Sequence, residues 1–285
     1  NHKKGQNMKP IIVRGGGDLA TGTIHRLCQS GYPVIILEDT KPSAIRQKVS
    51  FCQAVYEGTM EVEGIVCTKV DSFQEAMEKV RWNRPMLLTD PSGECLKQYH
   101  PDILIDGILA KKNLGTRRDM ADLTIGLGPG FTAGEDVDYV IETKRGHYLG
   151  RKIEKGSAIP NTGVPGLIGG YGKERVMHAP CAGVFRREKE IGDWVEAGQR
   201  IGYIQREKEN IGVYTQISGV VRGILQDGFE VTEHFKLADV DPRKESQAHC
   251  ALISDKARCI AGGVLELVCA WEKGILGKKQ LHETL

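Results

Sequence analysis

Two short stretches near the start of the chain, Lys9–Arg14 and Pro33–Leu37, each hold an unbroken apolar run with no polar residue inside it on either face. A strand built that way cannot turn one side to water. It needs a layer above and a layer below, the situation of a parallel strand inside an α/β domain. Between the runs, Thr21–Ser30 sets Ile24, Leu27 and Cys28 at helical spacing and ends at Gly31, a residue that readily terminates a helix. The alternation continues: Ser72–Val80 reads as a helix, Pro85–Leu88 and Ile103–Leu109 as strands. The expected fold is α/β, with a Rossmann-like, doubly wound parallel sheet over residues 9–112 and right-handed crossovers. Ligands of such sheets lie beyond the carboxyl ends of the strands. That rule selects Gly15–Thr21, Glu38–Thr40, Thr89–Glu94 and Ala110–Asn113.

The first of these segments is the most informative. Gly15-Gly16-Gly17-Asp18-Leu19-Ala20 fits the glycine pattern of a dinucleotide loop, and Glu38 follows 21 residues after Gly17. Bare amides at a helix N-terminus attract phosphate, and an acidic residue at that distance can accept from a ribose hydroxyl. Asp18 cuts the other way, because its carboxylate repels phosphate and Asp is a favoured N-cap. A phosphate cradle and a turn fastened by Asp18 both remain open at this point. Cys95, in PSGEC, is the one thiol at an expected ligand edge. It is reactive only if its pKa is depressed; the bland alternative is a buried cysteine starting a helix.

Residues 113–172 are glycine-rich. LTIGLGPGFTAG brings a strand into Gly128-Pro129-Gly130, and VDYVIET leads into Lys144-Arg145-Gly146-His147-Tyr148-Leu149-Gly150-Arg151. Arg145 and Arg151 suit phosphate or carboxylate, with a hairpin of solvated basic tips as the alternative. His147 has no carboxylate near it in sequence to make it an acid or base.

Residues 173–243 contain a repeat. CAGVFRREKEIGDWVEAGQ and ISGVVRGILQDGFEVTEHF align at an offset of 36 residues, pairing Gly183 with Gly219, Val184 with Val220, Gly192 with Gly228 and Val195 with Val231. Two interlocked halves of this kind suggest a small all-β barrel-sandwich hybrid resembling biotinyl and lipoyl domains. Lys208 would then sit on the hairpin that carries a modified lysine in such domains. Its neighbours, Gln205-Arg206-Glu207 and Glu209-Asn210, lack the surroundings of an acceptor. In residues 244–285, Ser254–Trp271 has helical apolar spacing, which predicts a C-terminal helix.

Composition removes other classes. A net charge of +2 gives no electrostatic case for nucleic acid or membrane binding, and no run of 18 apolar residues predicts a span. Eight cysteines without a Cys-x-x-Cys, and no apolar signal core in NHKKGQNM, predict reduced thiols in a cytoplasm. Residues 1–8 read as a tail outside the fold, native or foreign.

RGGGDLATG, IDGILAKKN, LGPGFTAGEDVDYVIETKRGHYLGR, SGVVRGILQDG and KLADVDPR occur in that order. Together they resemble the YqeB-type accessory proteins of selenium-dependent molybdenum hydroxylases, over nearly the whole stretch from Met8 to Leu267. The matching positions are Gly15, Gly16, Gly17, Asp18, Thr21, Asp106, Lys111, Gly128, Pro129, Gly130, Glu142, Arg145, Gly146, His147, Arg151, Asp241 and Arg243. The resemblance implies a cytoplasmic protein serving maturation or cofactor handling of a selenium-dependent molybdenum hydroxylase. The expected ligand is a small phosphate-bearing molecule, a nucleotide or a molybdenum-cofactor-like compound. Gly15, Gly16, Gly17, Asp18, Thr21, Glu38, Lys111, Gly128, Gly130, Arg145, His147 and Arg151 are the expected ligand residues, with no metal. The alternatives are an NAD(P)-dependent oxidoreductase, and a non-enzymatic scaffold or carrier using the barrel.

Overall fold

A computed structural model describes residues 9–161, 163 and 166–276; the expected tail at 1–8 lies outside them. The chain forms two compact units, the first made of residues up to 42, 50–161 and 253 onward, the second of 43–49 and 162–252.

In the first unit, strand β1 (Ile11–Arg14), helix α1 (Asp18–Gln29) and strand β2 (Val34–Glu38) follow each other directly. Next come the single-turn α2 (Ala54–Glu57), β3 (Thr59–Val62), β4 (Ile65–Val70), α3 (Phe73–Lys79), β5 (Met86–Thr89) and β6 (Ile103–Asp106). Then β7 (Leu123–Leu127), β8 (Tyr139–Ile141), β9 (Lys152–Ile153) and, from the end of the chain, α4 (Asp255–Glu272) complete the unit. The strands make one nine-stranded sheet in the order β3-β4-β5-β2-β1-β6-β7-β8-β9. The seven inner strands are parallel, while β3 and β9 close the edges antiparallel. Ile12, Ile35, Leu37, Met86 and Leu104 pack on one side against Ala76 and Val80 of the α3 region. On α1 and α4, Ile24, Leu27, Ile260 and Val264 are fully buried, and α4 packs along α1. Ser254 caps α4, accepting from the Ala257 amide at 3.1 Å, and Ser72 caps α3 through Glu75 at the same distance; a cap of this kind contributes about 1 kcal/mol.

The second unit holds β10 (Val176–His178), β11 (Gly183–Arg187), β12 (Trp194–Val195), β13 (Arg200–Gln205), β14 (Asn210–Tyr214), β15 (Gly219–Ile224), β16 (Phe229–Val231) and β17 (Lys236–Asp241). They form two four-stranded antiparallel sheets, β10-β17-β15-β12 and β14-β13-β11-β16. Phe185, Ile204, Val221, Leu237 and Val240 are among the side chains of its apolar core.

This corrects the expected fold. The molecule is a mixed α/β protein with a nine-stranded mixed sheet and two antiparallel sheets, rather than a Rossmann-like parallel domain joined to a biotinyl/lipoyl-like barrel. The physical reasons are local. The connections from β6 to β7 and from β7 to β8 contain no α-helix, because Gly, Pro and Asp in those stretches favour turns. The β3–β4 hairpin and β9 add antiparallel edges that a doubly wound sheet lacks. In the second unit the two aligned repeat segments keep equivalent pairings but lie in separate sheets: β11 pairs with β13 and β16, β15 with β17 and β12. Lys208 lies exposed in the turn between β13 and β14, within one sheet.

Candidate functional site

The carboxyl edge of the parallel strands begins at the glycine loop. Gly15 has φ +89°, and a Cβ there would stand 2.9 Å from the Ile108 Cα, so only glycine fits. A Cβ on Gly16 would meet the Cys52 nitrogen at 3.0 Å. Gly16 is tied on both sides: its amide donates to Glu38 Oε2 at 2.6 Å, and its carbonyl accepts from the Thr21 hydroxyl at 3.1 Å and the Cys52 amide at 2.8 Å. The buried Thr21 oxygen also accepts from the Phe51 amide at 2.9 Å. Glu38 is occupied a second time by the Asp39 amide at 2.7 Å, and burial pushes its carboxyl above the ordinary range.

Gly17 is different. Its φ of −66° suits any residue, and a Cβ there would meet nothing within 4 Å. It is the N-cap of α1 and supplies no side-chain cap. Asp18 is therefore the first helical residue and not the cap; its Oδ1 accepts from the neighbouring Leu19 amide at 2.9 Å. Among the described residues the amides of Gly17, Asp18 and Ala20 have no acceptor. Unpaired amides at the start of a helix are the elementary form of an anion site.

The opposite wall comes from β8 and α4. Glu142 is buried and accepts from the Thr143 and Lys144 amides at 2.8 Å and from Ile159 at 2.9 Å, so it organises the loop after β8. Lys256, in the first turn of α4, is half-buried with no partner for its ammonium among the described residues. Burial, and then the charge of Arg145, hold it below the ordinary lysine value, while Asp18, Glu142 and Asp255 attract its positive form. Nothing around position 256 in the sequence marks this lysine. It arrives beside the loop because α4 returns over α1, where a Cβ on Gly22 would stand 2.7 Å from the Ala257 Cβ.

The other expected residues divide. Gly128 and Gly130 make room for the chain: a Cβ would stand 2.7 Å from Thr143 Oγ1 at the first and from the Lys112 nitrogen at the second. Lys111 is exposed in that same loop with φ +62°. Arg145 is spent on a two-pronged pair with Asp255, at 3.0 and 3.1 Å. His147 is exposed, away from any partner among the described residues. Arg151 lies 5.7 Å over the Tyr148 ring and, with Glu142, Lys152, Ile159 and Glu266, lines an open cleft of about 700 Å³.

Two further groups occupy the strand ends. Arg14, 2% exposed, donates to Thr116 Oγ1 at 2.7 Å and to the Pro91 carbonyl at 2.9 Å. The Thr116 hydroxyl in turn donates to Asp106 Oδ2 at 2.6 Å. That buried bridge fastens the loop after β6. Cys95 is not an activated thiol: burial, then its hydrogen bond to Asp90, push it up to about 12.

No protein-family model matches the chain. It is 44% identical over 284 residues, 99% of its own length, to a protein of Escherichia coli (strain K12) named "Uncharacterized protein YqeB". The chain spans about half that relative's length, 51%. Among solved structures, it is similar to the product-bound ectoine utilization protein EutE (DoeB) of Ruegeria pomeroyi, with 11% identity, 82% of this chain and 85% of that one covered, and a TM-score of 0.28. It is also similar to a succinylglutamatedesuccinylase/aspartoacylase of Rhodobacter sphaeroides, with 22% identity, 24% and 22% covered, and a TM-score of 0.22. Superpositions this loose carry neither fold nor activity across. No helix among the described residues is long and apolar enough to cross a membrane.

Proposed function

We propose a ligand-handling role for this chain, which is a YqeB-type protein: it binds a small phosphate-bearing molecule at the glycine loop and serves, in the cytoplasm, the maturation of a selenium-dependent molybdenum hydroxylase. The observation that carries the first part is the open space over Gly17 beside three unpaired amides. Gly15 and Gly16 are glycine for packing; Gly17 has no such reason. Lys256 supplies the cation that offsets Asp18, which removes the objection that a carboxylate in the loop would repel phosphate. Hydrogen bonds from amides or ammonium to a charged oxygen contribute about 1.5–3 kcal/mol each. The second part rests on the sequence resemblance alone.

A nicotinamide-dependent dehydrogenase finds less support. Glu38, which would hold the ribose, already accepts from Gly16 and Asp39, and His147 stands exposed.

Native mass spectrometry of freshly purified protein tests the binding. The wild-type chain is expected to retain a phosphate-bearing molecule, Gly17→Arg to lose it, and Lys256→Met to retain it weakly. Equal retention by a folded Gly17→Arg refutes the assignment. The maturation role is tested separately, by the selenium content and activity of a molybdenum hydroxylase produced with and without this chain.

A further inference from the structure

The KLADVDPR motif, which the ligand site leaves unused, lies on β17 and the turn after it. Arg175, 3% exposed, donates through Nη2 to Asp239 Oδ1 at 2.8 Å. Arg222 takes the other oxygen of the same carboxylate. Asp241, wholly buried, is held by Arg243 at 3.0 and 2.7 Å. Three guanidinium groups thus share two buried carboxylates, with the Glu245 carboxylate acting on Arg243 as a third acid. Lys48 brings the positive charge in excess, since its ammonium bonds to a neutral group, the Ile191 carbonyl, at 2.9 Å. Cys250 lies within the field of Lys48 and Arg222, but burial pushes its thiol up, away from the thiolate that would balance them.

Arg222 is the odd member. The pairing of β15 with β17 shifts register between Val221 and Gly223, so Arg222 is the extra residue of a β-bulge, a device that re-aims a side chain. The bulge is fitted to its surroundings. A Cβ on Gly223 would stand 3.0 Å from the Ile45 carbonyl oxygen, which accepts from the Ile224 amide at 2.9 Å. Arg222 Nε is buried without a partner. The side chains of Arg222 and Arg243 remain 27% and 49% exposed, so both are reachable from solvent. An excess cation in a partly desolvated place is unfavourable until an anion joins it, and planar guanidinium groups match the oxygens of carboxylate or phosphate.

We propose that Arg222 and Arg243, supported by Lys48, form a binding site for a small oxyanion, carboxylate or phosphate, on the second unit. The test is calorimetric titration of the full chain carrying Gly17→Arg, which closes the glycine loop throughout. Inorganic phosphate is used in one arm and succinate in the other, and the stronger arm identifies the class. One equivalent is expected to bind in at least one arm. Arg222→Gln in the same background is expected to weaken it by roughly tenfold or more, with an unchanged circular dichroism spectrum, because Arg175 still holds Asp239. If that variant misfolds, Arg243→Gln, on a half-exposed side chain, carries the same expectation. No binding in either arm, or undiminished binding in a folded variant, overturns the proposal. Neither result bears on phosphate at the glycine loop.

Discussion

Two adjacent glycines in the middle of α4 should respond in opposite ways to the same change. Gly262 is exposed and a Cβ there would meet nothing within 4 Å. Gly263 is buried, and its Cβ would stand 2.1 Å from the Gly150 carbonyl oxygen. Alanine in a helix interior is favoured over glycine by about 0.8–1 kcal/mol, and both variants gain this. The comparison cancels it and leaves the cost of forcing the helix off the loop after β8, about 1–3 kcal/mol for overpacking. The obstacle is backbone, so the upper half of that range is expected. Gly262→Ala should stabilise the chain by about 1 kcal/mol, and Gly263→Ala should destabilise it by about 1–2 kcal/mol. With a urea slope of roughly 2 kcal/mol/M the two midpoints differ by roughly 1 M or more. Urea unfolding followed by far-UV circular dichroism measures this directly. A Gly263→Ala midpoint equal to or above that of Gly262→Ala would mean that the helix and the Gly150 turn are not in the contact described.

Other outcomes follow from the buried charges and thiols. Arg14→Met should cost about 3–5 kcal/mol by leaving Asp106 buried without its cationic partner, and adding Asp106→Leu should recover much of it, both read from denaturant midpoints. In alkylation at pH 8 with mass-spectrometric mapping, the exposed Cys259 should react well before Cys95, whose thiol is pushed up to about 12; equal rates would contradict its burial beside Asp90. The hydrogen bond from Arg145, with further help from the Lys256 amide, holds Asp255 below the ordinary carboxylate value of 3.8. Its contribution to stability is thus present above that value and lost as pH falls through the lowered one. Arg145→Ala should return the Asp255 titration, followed by carboxyl NMR, toward 3.8.

The β1–α1–β2 segment was legible because its apolar runs, glycine loop and helical spacing are contiguous in the chain. The β3–β4 hairpin was not: Thr59–Val70 mixes Glu, Lys and Thr with its apolar residues, as an edge does, and so lacks the unbroken apolar run that marks a buried strand. The topology of the second unit escaped for a different reason. A 36-residue echo identifies similar segments without saying which strands they pair with. At the site, Gly17 stood out by pattern. Its sterically idle position, which separates it from Gly15 and Gly16, emerges only when the Ile108 and Cys52 backbones are in place. Lys256 and Asp18 are far apart in sequence and meet through the return of α4, a long-range event with no local signature.

The stretch 43–49 belongs to the second unit although both of its flanks belong to the first. During synthesis, the Ile45 carbonyl emerges 179 positions (224 − 45) before the Ile224 amide that hydrogen-bonds to it. This heptapeptide therefore cannot dock until Ile224, far along the chain, has been made. A nascent chain released early would leave it without a home, and a piece cut out as 162–252 would lack it altogether.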